Sequence, residues 1–598
     1  MSEVLEKETT LLKGGEFLVK ETSSEKVFTP EDLTEEQGMF GAMTTDFIKA
    51  KIHPILDRID KQEEGLMESL LNEAGELGLL GATLPEEYGG MGIKITSETL
   101  LSERLGESHS FGVAVAAHTG IGTLPILYFG TEEQKKEYLP KLATGESKAA
   151  YCLTEPGSGS DALSAKTKAT LTEDGEHYII EGQKMWITNS GFADLFIVFA
   201  QIGGDKFTGF IVPAGLENIN LGAEEDKMGI KGSSTRQVFF EGVKVPKENI
   251  LGDIGKGHKI AFNVLNIGRY KLCAMVMGGA RAAAHYATQY ANERIQFKVP
   301  ISSFGAIKHK LAQMSTLYFA TESATYRVAG MIQDMVDKLS AEGMPKHEAK
   351  LMAAEEYAPE CALLKVLGSE TLDYCVDEAV QVYGGTGFSE EYPVARAYRD
   401  ARINRIFEGT NEINRLLSVG MILKRSMKGQ IDIMGPAMKI TGELMSVPSL
   451  ADSGDGAFAA EKAAIEQSKK AILMVSGSAA QKFMNKIEEQ QEVLMAISDM
   501  AILCFASESV LLRVEKLMAS KGEEACAREI DLAKVYISDA LEQMNLHGKH
   551  AIASFAEGDE LRMMTMGLKR FTKLKTFDTI GARRRVADAM IEANGYCF

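Results

Sequence analysis

The sequence predicts a mostly helical protein with a central β domain, ordered α–β–α, plus an extra C-terminal helical domain. Three observations lead there. Apolar residues recur at helical spacing up to about residue 150, as in Asn72–Leu80 and Glu132–Leu142. Between 151 and 256, Val, Ile, Phe, Thr and Gly rise and the runs shorten to strand length. Beyond Gly257 the helical spacing returns, interrupted by a Pro/Gly/Ser-containing stretch, Met445–Gly456. At 598 residues the chain exceeds one core, since domains run to about 100–200 residues each.

In chain order, residues 1–34 read as a polar tail, with order beginning near Thr29-Pro30. Thr34 followed by Gln37 is a capping-box pattern that opens a helix. Residues 35–150 form the first helical domain, broken at Glu86–Gly90 and near Gly130. In the β domain, 151–256, strands are expected at Thr167–Leu171, Tyr178–Glu181 and Phe196–Ala200, with Asp174-Gly175 as a hairpin turn. Residues 257–430 read as long helices broken at Gly384–Gly387, 431–458 as a linker, and 459–598 as a helical domain rich in Ala, Met and Leu. No repeat of fixed period is present.

Bulk composition narrows the function classes. Hydrophobic residues make up 45% and charged residues 25%, an ordinary globular balance. The net charge of −19 argues against coating nucleic acid. The 7 cysteines include no CxxC pair, so neither a disulfide framework nor a zinc site is expected, and a reducing cytoplasm fits best. The opening MSEVLEKETT lacks the apolar core of a signal peptide, and no window is expected to reach the ~18 apolar residues of a membrane span.

Three stretches carry the chemistry: Tyr151–Asp161 (YCLTEPGSGSD), Gln381–Phe388 (QVYGGTGF) followed by Arg396 and Asp400, and Arg402–Glu412 (RINRIFEGTNE). Each alone reads as a turn or loop. Their joint occurrence, in this order and inside an α–β–α layout, resembles the acyl-CoA dehydrogenase family over about residues 35–425. The appended helical domain is most like the very-long-chain type. The resemblance implies FAD as cofactor and an acyl-CoA substrate, dehydrogenated between Cα and Cβ to a trans-2-enoyl thioester in the first step of β-oxidation. One hydrogen leaves as a proton to a carboxylate and the other as hydride to flavin N5. Reacting atoms must then be held about 3–3.5 Å apart.

By that resemblance Glu408 is the base, and Gly409 turns the backbone against the thioester. Desolvation suits a carboxylate to the task by raising its pKa. Read alone, Glu408 is a surface carboxylate at a helix end. Some family members place the base on another helix, just before an Arg. That position here is Gly268, ahead of Arg269, which leaves Glu408 without a rival. Arg269 is expected against the acyl-CoA, its alternative being a surface salt bridge.

Tyr151, Leu153, Thr154 and Ser160 resemble the first flavin loop, with Ser160 also near substrate. Trp186, the only Trp in the chain, stacks on the flavin in relatives, and Thr188 lies near N5. Otherwise Trp186 is core. Arg294, Gln296 and Phe297 resemble the pyrophosphate and adenine contacts, Arg suiting phosphate through its planar fork. Lys298 departs from the family, whose members usually carry Gly there. Gln381, Gly384 and Gly385 resemble a loop that reaches a neighbouring subunit's flavin, and Thr410 and Glu412 complete the cofactor set.

A homodimer follows if the C-terminal domain covers the surface that shorter relatives use to form tetramers. Gly122 is expected near the bottom of the acyl pocket. Pro125, standing where very-long-chain members have Gly, points to a shallower one, and a long-chain substrate is favoured. Arg562 through Arg585 holds eight basic residues and one acidic residue, Asp578. That stretch reads as a face toward a membrane or partner, or as a solvated face balancing an acidic protein. An electron-transfer flavoprotein is the expected acceptor. An oxidase using oxygen and a catalytically silent scaffold are the rival readings.

Overall fold

The computed structural model describes residues 11–444 and 456–598. Residues 11–33 are not the loose tail their polarity suggested. The N–H groups of Gly14 and Gly15 donate to the carboxylates of Glu356 and Glu360, and Phe17 is buried edge-on against Phe505. Buried Phe17, Leu18 and Val27 anchor this otherwise polar strip, and composition averages them away. Helix α1 (Glu35–Phe47) then starts at the expected capping box, with Gln37 N donating to Thr34 Oγ1 at 3.3 Å and Thr34 N to Gln37 Oε1 at 2.9 Å.

The helical domain that follows includes α2 (Ile95–Leu105) and α3 (Glu132–Thr144). An eight-stranded sheet comes next: β1 (Ala149–Cys152), β2 (Lys168–Leu171), β3 (His177–Thr188), β4 (Leu195–Ile202), β5 (Lys206–Pro213), β6 (Ile219–Leu221), β7 (Thr235–Pro246) and β8 (Ile250–Leu251). Its order is β6-β7-β3-β2-β4-β5-β8, with β1 parallel to β4. The β2–β3 hairpin closes through Thr172 Oγ1 donating to Asp174 Oδ1 at 2.6 Å, with Gly175 at φ +74°. β4 is apolar on both faces because both are covered. Phe196 and Val198 face the sheet's own core, whereas Ile197 and Phe199 pack with Leu124, Leu127 and Leu139 of the first domain.

The third layer holds α4 (Gly257–Glu293), α5 (Gly305–Ala341), α6 (Ala358–Tyr383) and α7 (Asn411–Met427). α2 and α4 touch backbone to backbone. A Cβ on Gly106 would come 1.8 Å from the Met275 carbonyl oxygen, and one on Gly278 would come 1.9 Å from that of Glu103.

The stretch expected as a linker departs from that reading: Met434–Leu444 is a helix, with Ile431, Ile433 and Ile440 buried. Residues 445–455 lie outside the described residues. The C-terminal domain holds α8 (Ala459–Phe483), α9 (Gln491–Lys521), α10 (Ala527–Ala553), α11 (Gly558–Phe571) and α12 (Thr579–Ala593). It shares one apolar core with the third layer and is bolted to it by Arg327–Glu508 and Arg513–Glu322, both at 2.7 Å. Within the basic C-terminal stretch, Arg583 pairs with Asp539 and Arg585 with Asp531.

Among the described residues, two helical stretches, Ser110–Phe129 and Gln491–Lys521, are long and apolar enough to cross a membrane, contrary to the sequence expectation. Their apolar windows are 78% and 83% buried inside the protein, where they serve as core.

Candidate active site

Glu408 occupies a tight turn just before α7. Glu408 and Gly409 both lie in the left-handed region, at φ +58° and +81°. For a glutamate that conformation costs about 1–2 kcal/mol. The turn is held from three sides. Asn414 Nδ2 donates to the carbonyls of Glu408, Gly409 and Thr410 at 3.3, 2.8 and 3.0 Å. Arg269 Nε donates to the Glu408 carbonyl at 3.3 Å. Thr410 Oγ1 caps α7 by accepting from Ile413 N.

The turn aims the carboxylate into a cavity between α2, α4 and the sheet. Leu101, Leu105, Val113, Ile267 and Met275 give it apolar walls, and Thr188, Gly268, Phe407 and Glu408 line it as well. A Cβ on Gly268 would stand 2.7 Å from Glu408 Oε2, so this bare stretch of α4 makes room for the carboxylate. Oε2 is buried without a partner. Burial pushes the Glu408 carboxyl up to about 7, against the opposing pull of Arg269 and Lys365. An unpaired carboxylate poised near neutral pH inside an apolar cavity is equipped to accept a proton from carbon.

Arg269 is buried and faces this turn, with Nη1 donating to Asn266 Oδ1 at 2.7 Å, so it is no surface salt bridge. Lys365 was not singled out from sequence. Its Nζ donates to Asn411 Oδ1 at 2.7 Å, and burial pushes its ammonium down to about 8, with Glu408 opposing. Nothing local marks it. Only the fold carries residue 365 to residue 408.

Tyr151 is buried edge-on against Phe199, and its hydroxyl has no partner. The Leu153 carbonyl accepts from Lys184 Nζ at 3.2 Å, the Thr154 carbonyl accepts from Met185 N at 2.9 Å, and Ser160 is exposed. Beneath this loop lies a buried ion pair that sequence reading missed, Lys184–Glu155 at 2.7 Å. Glu155 also accepts the backbone N–H groups of Lys166 and Thr167. Burial alone would raise its carboxyl; Lys184 and these donors outweigh that and hold it below the usual range. Glu155 sits inside the first quoted motif and Lys184 two residues before Trp186, and their opposite charges were the available signal.

Trp186 is not core. It is 53% exposed, at φ +61°, where the β3–β7 register shifts between Lys184 and Ile187. Such an irregularity re-aims a side chain, and Thr188 just beyond lines the cavity.

A second group stands apart. Arg294, Gln296 and Phe297 are all exposed, on a two-residue hairpin whose Phe297 and Lys298 have φ +51° and +70°. Arg294 follows Gly268 by 26 residues, about 39 Å along α4 at 1.5 Å per residue. Gln381, Gly384 and Gly385 are exposed beyond Lys365 at the far end of α6, tied to the end of α4 by the stacked Tyr290 and Tyr383 rings, 4.0 Å apart. Within one chain these residues do not reach Glu408. Glu412 is exposed in the first turn of α7.

Gly122 corrects an expectation. It does not face the cavity but packs under β1, where a Cβ would come 2.8 Å from that of Ala149. Thr119, Gly120, Ile121 and Leu124 form the cavity wall on this segment, and Pro125 is likewise outside it.

Residues 34–146, 150–243 and 255–422 match the N-terminal, middle and C-terminal domains of acyl-CoA dehydrogenases, and 467–570 match a further model also described as an acyl-CoA dehydrogenase C-terminal domain. A probable acyl-CoA dehydrogenase of Bacillus subtilis is 46% identical over 98% of both chains. The human mitochondrial very long-chain specific acyl-CoA dehydrogenase is 40% identical over 66% of this chain and 59% of its own length. The crystal structure of an acyl-CoA dehydrogenase complexed with FAD from Bacillus anthracis superposes with a TM-score of 0.96 at 47% identity, covering 98% of this chain and 100% of that one. The chain belongs to the acyl-CoA dehydrogenase family.

Proposed function

We propose that this protein is an FAD-dependent acyl-CoA dehydrogenase in which Glu408 takes the α-proton of a fatty acyl thioester. The observation that carries the reading is the buried, unpartnered Oε2 of Glu408, raised to about 7, on the wall of an apolar cavity. The residues present suit a flat heterocycle. The Trp186 indole is half exposed near Thr188, and space is open around Gly157 and Gly159 in the first loop. FAD, when bound, supplies the two-electron acceptor for the β-hydrogen.

The chain's own residues do the rest. Glu408 accepts the proton in a water-poor pocket, the backbone N–H groups of its left-handed turn offer donors to a thioester oxygen, and Arg269 holds that turn in place. The apolar walls orient the acyl tail, and the similarity to a very long-chain specific relative supports long-chain substrates. The 39 Å separation supports a homodimer, in which Arg294, Gln296, Phe297, Gln381, Gly384 and Gly385 of one copy serve the other copy's cofactor. The cysteines are free thiols, which supports a reducing cytoplasm.

The test is anaerobic addition of saturated acyl-CoA thioesters to the purified flavoprotein. Bleaching of the flavin band is expected, with slow reoxidation by air and fast reoxidation by an electron-transfer flavoprotein. Fast reoxidation by air would make the protein an oxidase, and no bleaching by any chain length would leave a silent scaffold.

A further inference from the structure

Arg396 and Asp400, which follow the glycine loop in sequence, take no part in the site described above. They stand one turn apart on the helix Pro393–Ala401. Arg396 pairs with Asp57 and Asp60 and so ties this helix to the first domain. Asp400 is buried and reaches two segments at once. Its Oδ1 accepts from Ile230 N in the β domain, and its Oδ2 accepts from His109 Nδ1 in the first domain at 2.8 Å. One carboxylate thus joins all three layers.

Both of its partners hold backbone conformations that their residue types avoid. Ile230 has φ +46°, and His109 has φ +53° with ψ −127°. A β-branched residue in the left-handed region is an outlier, and such strain persists only where the surroundings impose it. The loop around Ile230 is pressed from two sides. A Cβ on Gly229 would stand 2.3 Å from the Arg399 carbonyl oxygen, and one on Gly232 would stand 2.6 Å from that of Ile59. Gly232 N also donates to Ser110 Oγ at 3.1 Å. Arg396 already ties the helix down with ion pairs alone, so holding two strained residues is a further task.

The arms of this joint lead to opposite sides of the cavity. From Asp400 the chain passes to Glu408 through a turn that Asn404 steadies, its Nδ2 donating to the Ala401 carbonyl at 3.1 Å. His109 opens the helix Ser110–Ala116, whose Val113 and Val115 line the cavity. On that helix the Ala114 carbonyl accepts from Asn189 Nδ2 at 2.9 Å, and Asn189 directly follows Thr188. Asn189 N donates to the Ser234 carbonyl at 2.8 Å, on the loop that carries Ile230. A continuous path therefore connects the segment carrying Glu408 with the strand end carrying Trp186 and Thr188. A thioester between these two sides reacts only if their spacing aligns it with both.

We propose that Asp400 is a positioning residue for the dehydrogenation: through Ile230 and His109 it sets the spacing between Glu408 and the strand end that carries Trp186 and Thr188. The inference rests on the reading of Glu408 as the base.

The test uses Asp400→Ala, Asp400→Asn and His109→Ala holoenzymes. The readout is the single-turnover rate of flavin bleaching by a saturated acyl-CoA, taken per bound flavin, so lost folded protein does not imitate the effect. Asp400→Ala is expected to slow bleaching about tenfold or more at saturating substrate, with the half-saturating concentration within about threefold of the parent. Asp400→Asn keeps an acceptor for Ile230 N and a polar atom for the imidazole, and should return to within about threefold of the parental rate. Separately from activity, amide hydrogen exchange in the substrate-free proteins should quicken over residues 228–232 and 107–113 in Asp400→Ala and stay near parental in Asp400→Asn. Parental bleaching in Asp400→Ala, an Asn variant as slow as the Ala variant, or an effect confined to half-saturation overturns the proposal and leaves the dehydrogenase reading intact. If Asp400→Ala does not fold, His109→Ala decides: bleaching slowed about threefold or more supports the proposal, and the parental rate overturns it. A parent protein that no thioester bleaches removes the reading on which the proposal rests.

Discussion

Gly268 and Glu408 are in near contact: a methyl group on the first would stand 2.7 Å from Oε2 of the second. Two positions 140 residues apart are thus matched, one by lacking a side chain and the other by filling the space. Gly268→Ala would displace the carboxylate while adding a better helix former to α4, which offsets part of any strain by about 0.5–1 kcal/mol. The expectation is an unchanged flavin content, a melting temperature within a few degrees, and kcat reduced by about tenfold to a hundredfold, since small misplacements of reacting groups carry such losses. Steady-state kinetics beside a thermal melt checks it.

The raised carboxyl of Glu408 has a stability cost of known sign. Its folded value of about 7 exceeds the 4.5 of the unfolded chain, so the native state holds the proton more tightly. Between those two values the unfolded state binds fewer protons, and this residue's contribution to stability falls as pH rises. Glu408→Gln removes the effect. Without substrate the variant should be more stable than the parent at pH 8 by about 1–3 kcal/mol, with the difference vanishing below about pH 4.5. Denaturant titrations at the two pH values measure it, and a gap that widens on acidification contradicts it.

Lys365 is one of the two cations holding Glu408 down. With that charge removed in Lys365→Met, burial acts with less opposition and the carboxyl rises further. The acid limb of kcat/KM should move to higher pH by about one unit. A pH profile that keeps its position would assign Lys365 to support of Asn411 alone.

The Lys184–Glu155 pair is buried on both sides, so truncating one partner leaves the other's charge without compensation. Lys184→Met should destabilise by about 3–5 kcal/mol. The paired change Lys184→Met with Glu155→Gln should recover a large part of that, which a double-mutant cycle by chemical denaturation resolves.

Much of this molecule is legible in its sequence. The capping box at Thr34, the hairpin at Asp174-Gly175 and the strand at Phe196–Ala200 are local signals, and local signals survive in sequence. The acid at 408 was legible from its motif, and so was the vacancy at 268. Less legible was anything assembled from distant segments. Lys365 reaches the site only because α6 packs along α4, and Gly122 turned toward Ala149 because its segment winds as a π-helix under β1. The N-terminal strip was misjudged for a different reason. Its polarity is real, yet buried Phe17, Leu18 and Val27 and the carboxylate acceptors of Glu356 and buried Glu360 decide its fate.

The central claim is that the carboxylate at 408 removes the proton, and one comparison tests it most directly. Parent and Glu408→Gln proteins are purified with their flavin and mixed anaerobically with the same saturated acyl-CoA, and bleaching is followed by stopped flow. The account expects equal flavin content and a bleaching rate at least a hundredfold lower in the variant, within the ~10²–10⁴ attributed to general bases. Bleaching at the parental rate would contradict it and place the base elsewhere.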